Sequence, residues 1–156
     1  MAQIIFMIKS VFSFLLLLAF SVAHAQLQPV VWSFGAKKTA DRTYEVEIKA
    51  TIKEGWHLFS QNQPADAIAI PTAFIINPNP LLIRKGAIRE VGKLEKYKDK
   101  TLGVTAYQYS GQIRFVQTVV LKAKAKTVFA GSVEFQTCDD EKCLPPQKVN
   151  FSIPLQ

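Results

Sequence analysis

Tyr44-Glu45-Val46-Glu47-Ile48-Lys49-Ala50 is the stretch of the sequence that decides the fold. Its apolar residues alternate strictly with charged ones, which is the period of a β-strand that buries one face. Gly55 interrupts this pattern, and Trp56-His57-Leu58-Phe59 resumes it. This part of the chain therefore predicts two strands separated by a turn.

The same organisation continues towards the C-terminus. We predict turns or loops at 61–66, 77–80, 92–103, 110–111 and 122–126, where Gly, Pro, Asn and charged residues cluster. Between them we predict strands at 72–76, 87–91, 112–122, 127–137 and 148–155. No window combines a helical period with capping residues. About eight short strands with regular turns predict an all-β protein, and an immunoglobulin-like β-sandwich is the best single prediction.

Residues 1–25 predict a secretory signal peptide. Lys9 precedes the apolar run 11–20, VFSFLLLLAF, and Ala23-His24-Ala25 has the small-x-small pattern of a cleavage site. The run is about half the roughly 20 residues that a membrane-spanning helix needs. We therefore expect cleavage after Ala25, export from the cytoplasm, and a single β domain at 26–156. No later apolar run predicts membrane insertion of the mature chain.

Composition excludes several classes of function. The net charge is +7, but the densest charged stretch, 84–100, mixes both signs and is typical of a solvated face. Together with export, this argues against a nucleic-acid partner. No Gly-x-Ser-x-Gly motif or glycine-rich phosphate loop occurs. We interpret His57, the only histidine left after cleavage, as a partly buried structural residue. With Cys138 and Cys143 it falls short of four zinc ligands, so we expect no metal.

The only two cysteines lie in Cys138-Asp139-Asp140-Glu141-Lys142-Cys143. On a helix this spacing would point them about 140° apart. Across a four-residue hairpin loop they would face each other, with Cα atoms roughly 4.5–5.5 Å apart, which suits a disulfide. In an exported protein the pair is expected to be oxidised.

These residues alone leave the role of the bond open. A ring this small stabilises a fold by only about 2 kcal/mol, against about 4–5 kcal/mol for a long loop, so the bond would be a weak staple. If Val133, Phe135 and Thr137 face the core, Cys138 faces outward, where a partner's thiol can reach it. A structural bond and a reactive bond remain equally open at this point. Structural disulfides have reduction potentials below about −300 mV, and relay disulfides lie higher.

The hairpin resembles a known redox family. Phe135-Gln136-Thr137-Cys138 and Cys143-Leu144-Pro145-Pro146 are similar to the Tyr/Phe-Gln-x-Cys and Cys-x-Pro-Pro motifs in the N-terminal periplasmic domain of the thiol:disulfide interchange protein DsbD. Gly55-Trp56-His57-Leu58 is similar to the family's Gly-aromatic-x-Leu segment. The intercysteine loop has one residue fewer than in the best-known members.

The resemblance implies an immunoglobulin-like thiol:disulfide oxidoreductase component that needs no cofactor of its own. It implies that thioredoxin-like periplasmic proteins are the partners, among them disulfide isomerases and proteins of cytochrome c maturation. By position, Cys143 would form the mixed disulfide and Cys138 would resolve it. Because the chain ends at Gln156, directly after the β domain, we expect a separate membrane thiol reductant transporter as electron donor.

The family also covers its cysteines with a cap loop that precedes the redox hairpin. In this chain the corresponding position is the predicted loop 92–103, which contains Tyr97 and Leu102. We expect either side chain to lie over the sulfurs as an apolar cap. Two other interpretations stay open: an exported protein-binding β-sandwich with an inert structural disulfide, and a purely structural exported domain.

Overall fold

A computed structural model of the chain describes residues 27–100 and 103–156. The predicted signal peptide, its cleavage site at Ala25 and the cap candidate Leu102 lie outside these ranges, so those expectations stay predictions. Within the described residues there are eleven strands and no helix. The strands are β1 (Val30–Ala40), β2 (Thr43–Ile52), β3 (His57–Phe59), β4 (Ala73–Ile76), β5 (Leu82–Val91), β6 (Glu95–Lys98), β7 (Thr105–Tyr109), β8 (Gln112–Leu121), β9 (Thr127–Phe135), β10 (Thr137–Cys138) and β11 (Gln147–Leu155).

The strands form three antiparallel sheets. Sheet A has the order β1-β2-β8-β5, sheet B the order β10-β3-β7-β6, and sheet C the order β11-β9-β4. After β9 ends in sheet C at Phe135, the chain passes through Gln136 and continues as β10 in sheet B. In the described part of the chain, no helix is long and apolar enough to cross a membrane.

The core lies between sheets A and C and also includes Leu58 and Tyr109 of sheet B. On β2 the alternation becomes burial as predicted, with Tyr44, Val46, Ile48 and Ala50 inside. Aromatic rings from the two sheets pack across the interface, where edge-to-face and offset contacts are favoured. The ring centroids are 5.1 Å apart for Trp32 and Phe135, 5.4 Å for Phe34 and Phe151, and 4.9 Å for Phe74 and Phe115.

Some of the predicted boundaries are wrong, and two strands were missed. Strand β5 covers Leu82–Val91 rather than 87–91, and β6 lies inside the predicted loop 92–103. Strands β1 and β7 were not predicted from the sequence. Strand β6 has no apolar period of its own in Glu95-Lys96-Tyr97-Lys98, yet it pairs residue by residue with β7.

A half-buried carboxylate joins sheet A to sheet B. Glu90, on β5, accepts hydrogen bonds from Ser60 Oγ at 2.7 Å, from the Gln61 backbone N–H at 2.7 Å and from the Tyr109 hydroxyl at 2.8 Å. Burial of the Tyr109 hydroxyl, together with its hydrogen bond to Glu90, raises the pKa of Tyr109 well above its usual value. This cluster anchors the end of β3, which carries His57 towards the cysteine hairpin.

Gly131 lies where β4 and β9 approach each other closely in sheet C. A Cβ there would collide with the Ile75 carbonyl oxygen and lie 3.0 Å from Ile76 Cα and 3.1 Å from Phe151 Cζ. We expect Gly131→Ala to lower the free energy of unfolding by about 1–3 kcal/mol, because β4 and β9 must separate to admit the methyl group. Denaturant unfolding measures this change.

Gly35 provides the matched control. It lies in β1, a Cβ there meets nothing within 4 Å, and its backbone is not left-handed. Gly35→Ala is therefore expected to leave stability unchanged or slightly higher. Equal effects of the two substitutions would contradict the close packing of β4 on β9.

Candidate functional site

The cysteine hairpin is positioned by the pairing of β10 with β3. In this two-residue ladder Thr137 lies opposite Leu58, and Cys138 lies opposite His57. Thr137 and Leu58 are both buried. Directly opposed residues in an antiparallel pair point to the same side of the sheet. The core contact of Thr137 and Leu58 therefore places Cys138 and His57 together on the opposite side.

Cys138 and Cys143 are bonded as predicted. They face each other in an antiparallel bridge with Cα atoms 4.0 Å apart and form a disulfide. The ladder continues on both sides of the bond: Leu144 N–H donates to the Thr137 carbonyl at 2.9 Å, and Asp139 N–H donates to the Lys142 carbonyl at 2.9 Å. The hairpin is therefore held by main-chain hydrogen bonds as well as by sulfur.

The turn between the cysteines is organised by Asp139. Its Oδ1 accepts the backbone N–H groups of Glu141 at 2.9 Å and Lys142 at 2.7 Å. These two hydrogen bonds stabilise the charged carboxylate, so they hold the pKa of Asp139 below its usual value. The loop therefore keeps its negative charge at neutral pH.

The two sulfurs differ in accessibility. The expectation that Cys138 faces solvent is wrong, since this residue is only 3% exposed, whereas Cys143 is exposed. The alternation of β9 stops at Gln136, and the two successive residues Thr137 and Cys138 are both buried. One packs into the core, and the other lies in a cleft whose walls cover it. An incoming thiol or disulfide therefore meets Cys143.

A cleft of about 530 Å³ lies beside the disulfide. Its apolar wall consists of Phe59, Ile68, Ala69, Tyr97, Val104 and Ala106. Ile68 is 71% exposed and Tyr97 is 51% exposed, so apolar surface stands open to solvent next to the cysteines. The structure thus brings the cap candidate Tyr97 to the cysteine site, although Cys143 remains exposed.

Side chains of the segment between β3 and β4 hold this wall in place. Gln63 pairs with the Tyr107 backbone like a strand residue, donating to its carbonyl at 2.7 Å and accepting its N–H at 3.0 Å. Asp66 accepts the Thr105 backbone N–H at 3.1 Å. Because these bonds fasten the segment to β7, Ile68 and Ala69 are held against the cleft.

His57 is the site residue that sequence reasoning missed. It lines the cleft with both cysteines, and its ring contacts Phe59 edge-on at 5.5 Å between centroids. Burial lowers the pKa of His57 below 6.5, while the charges of Asp140, Asp139 and Glu95 act in the opposite direction. The sequence shows that His57 directly precedes Leu58. It does not show that β3 pairs with β10, which is what brings His57 opposite Cys138.

No group of three or more His, Cys, Asp or Glu side chains within 27–100 and 103–156 is placed to hold a metal ion. The chemical groups that line the described cleft include the sulfur pair, one imidazole and several carboxylates.

Comparison with known proteins shows which family and which solved structures this chain resembles. The family model described as thiol:disulfide interchange protein DsbD, N-terminal, matches residues 24–154. The DsbD N-terminal domain of Neisseria meningitidis in its reduced form is similar in structure, with a TM-score of 0.54 and 18% identity over 85% of this chain and 93% of the other. The resemblance read from the motifs is confirmed.

A second solved structure is that of the complex between the DsbD N-terminal and PilB N-terminal domains of N. meningitidis. It has a TM-score of 0.51 and 17% identity over 83% of this chain and 88% of the other. Among the curated proteins the search found no match. The structural likeness confirms the predicted immunoglobulin-like β-sandwich.

Reduction of the disulfide is expected to leave the fold intact. The bond closes a small ring whose ends are already held by the hairpin hydrogen bonds, so its loss should lower the free energy of unfolding by no more than about 2 kcal/mol. Denaturant midpoints of oxidised and reduced protein measure the difference. The double variant Cys138→Ala/Cys143→Ala is the control, because reductant must not change its midpoint. Unfolding on reduction would show that the bond is a structural staple.

Proposed function

The chain belongs to the family of DsbD N-terminal domains, and from this premise we propose that it is a periplasmic thiol–disulfide exchange module acting through Cys138 and Cys143. The observation that carries the proposal is the unequal exposure of the pair: Cys143 is exposed beside an open apolar cleft, and Cys138 is 3% exposed. Thiol–disulfide exchange requires access to one particular sulfur, and this arrangement offers one.

The exchange takes place in two steps. In the reduced pair, the Cys143 thiolate attacks one sulfur of a partner disulfide and forms a mixed disulfide with it. The partner's other sulfur leaves as a thiolate and takes up a proton. Cys138, having lost its proton, then attacks Cys143 Sγ in the mixed disulfide, and the partner's second sulfur leaves. Two electrons and two protons have passed to the partner, and the Cys138–Cys143 bond has formed. A donor dithiol restores the reduced pair by the reverse exchange.

Thioredoxin-like periplasmic proteins are the partners we propose. A related domain from N. meningitidis forms a complex with the PilB N-terminal domain. In this chain the exposed side chains of Ile68 and Tyr97 provide apolar surface beside Cys143 on which such a partner can pack. We further propose that its clients act in disulfide isomerisation and cytochrome c maturation. We also propose that the chain is exported with cleavage after Ala25 and that a separate membrane thiol reductant transporter is its electron donor.

The alternative is an exported protein-binding β-sandwich whose disulfide is inert. It predicts a bond that resists exchange with added disulfides and thiols. The small ring argues against it, because a staple here adds little to a hairpin that is already hydrogen-bonded.

Single-cysteine variants test the assignment of roles. We expect reduced Cys138→Ser to form a mixed disulfide with glutathione disulfide, because its remaining thiol, Cys143, is exposed. Reduced Cys143→Ser should react at least about tenfold more slowly, since Cys138 is buried. Mass spectrometry of the adduct over time measures both rates, and the same variants then trap periplasmic partners.

The wild-type protein, which should end with its internal disulfide and no adduct, is the control. Preferential reaction through Cys138 would reverse the two roles. Absence of reaction in both variants would favour the inert disulfide.

Tyr97 tests the cap. We propose that its ring, on the wall of the cleft, restricts the approach of thiols to the disulfide. Tyr97→Ala should therefore speed reduction by dithiothreitol about threefold, since access limits this reaction. Stability should change by less than about 0.5 kcal/mol, because the ring is half exposed.

Leu94→Ala is the matched control for the cap, because Leu94 is also exposed and apolar and precedes β6 without lining the cleft. Leu102→Ala extends the test to the second cap candidate. Reduction rates equal to wild type in Tyr97→Ala and Leu102→Ala would eliminate the cap.

A further inference from the structure

The pairing of β10 with β3 places an imidazole beside the buried sulfur. His57 and Cys138 are directly opposed in this ladder, so their side chains lie on the same side of sheet B. Both residues line the cleft that also contains Cys143. The disulfide therefore has one titratable base as its cross-strand neighbour.

Cys138 needs such a base. Only a thiolate attacks a disulfide, and burial away from water disfavours the charged form of a thiol. Cys138 is 3% exposed, and the turn that follows it carries Asp139, Asp140 and Glu141. These carboxylates disfavour a second negative charge, which Lys142 offsets in part. Water reaches the exposed Cys143 and can remove its proton, whereas Cys138 is covered.

We propose that His57 is the proton acceptor for Cys138 in the step that resolves the mixed disulfide. This inference rests on the proposed function. A ring nitrogen of neutral His57 takes the Cys138 proton, Cys138 Sγ attacks Cys143 Sγ, and the bond between Cys143 and the partner's sulfur breaks. The departing sulfur is protonated by the imidazolium or by water. In the reverse direction the imidazolium returns a proton to Cys138 as the domain is reduced.

The surroundings of His57 suit a group that accepts a proton at neutral pH. Burial lowers the pKa of His57, so the ring is neutral and able to accept at pH 7. Once it is protonated, the charges of Asp140, Asp139 and Glu95 stabilise it. The titratable and charged groups that line the cleft around the ring are Tyr97, Asp99, Asp139, Asp140, Glu141 and Lys142.

The test is a stopped-flow reaction of the reduced protein with dipyridyl disulfide, which releases one coloured thiopyridone in each step. Attack by Cys143 gives the first phase, and resolution by Cys138 gives the second, which does not depend on reagent concentration. We expect His57→Gln to slow the second phase at pH 7 by at least about tenfold, while the first phase changes less than about twofold.

The pH profile separates a base from a merely structural residue. In wild type the second phase should slow as the pH falls through the pKa of His57, below 6.5, because a protonated ring accepts no proton. In His57→Gln this inflection should be absent. His57→Phe, which keeps an aromatic contact with Phe59, repeats the test if His57→Gln does not fold. Leu94→Ala, at an exposed apolar residue that does not line the cleft, should behave like wild type.

The outcomes distinguish the two proposals. If wild type shows both phases and the His57 variants show the same second phase and the same inflection, His57 is not the proton acceptor, and the exchange function stands. The exchange function requires a first phase that is kept in Cys138→Ser and lost in Cys143→Ser. If wild type lacks this phase, or if the phase does not depend on Cys143, the exchange function itself fails.

Discussion

Antiparallel pairing of β10 with β3 is the constraint on which the site depends. The ladder has only two rungs, but one of them, Thr137 with Leu58, lies in the core. A shift by a single residue would turn Leu58 out of the core and into the cleft, because the side-chain period of a strand is two. Burial of Leu58 therefore fixes the register in which Cys138 lies opposite His57. Cys138 and His57 themselves line the cleft.

The hairpin combines a weak cross-link with a robust main-chain frame. The Thr137–Leu144 and Asp139–Lys142 hydrogen bonds join main-chain atoms on both sides of the disulfide, and Asp139 closes the turn with two further bonds. A ring of this size contributes only about 2 kcal/mol. We therefore expect the fold to survive reduction of the bond, which a relay requires and a staple does not.

The walls of the cleft come from parts of the chain far from the cysteines. The segment between β3 and β4 is fastened to β7 by Gln63 and Asp66, and β6 is held by its pairing with β7. Residues of both segments, among them Ile68 and Tyr97, line the cleft together with the two cysteines, of which Cys143 is exposed and Cys138 is buried.

The sequence by itself determined the elements whose signal is local. Alternation in Tyr44–Ala50 predicted β2, glycine and proline placed most of the turns, and the five-residue spacing of Cys138 and Cys143 predicted a facing pair across a hairpin. Only the tertiary structure decided which sulfur is accessible, that Glu95-Lys96-Tyr97-Lys98 is a strand, and that His57 lies beside Cys138. These features arise from pairing between segments distant in sequence. Such pairing depends on burial and strand register, and neither segment carries it in its own pattern.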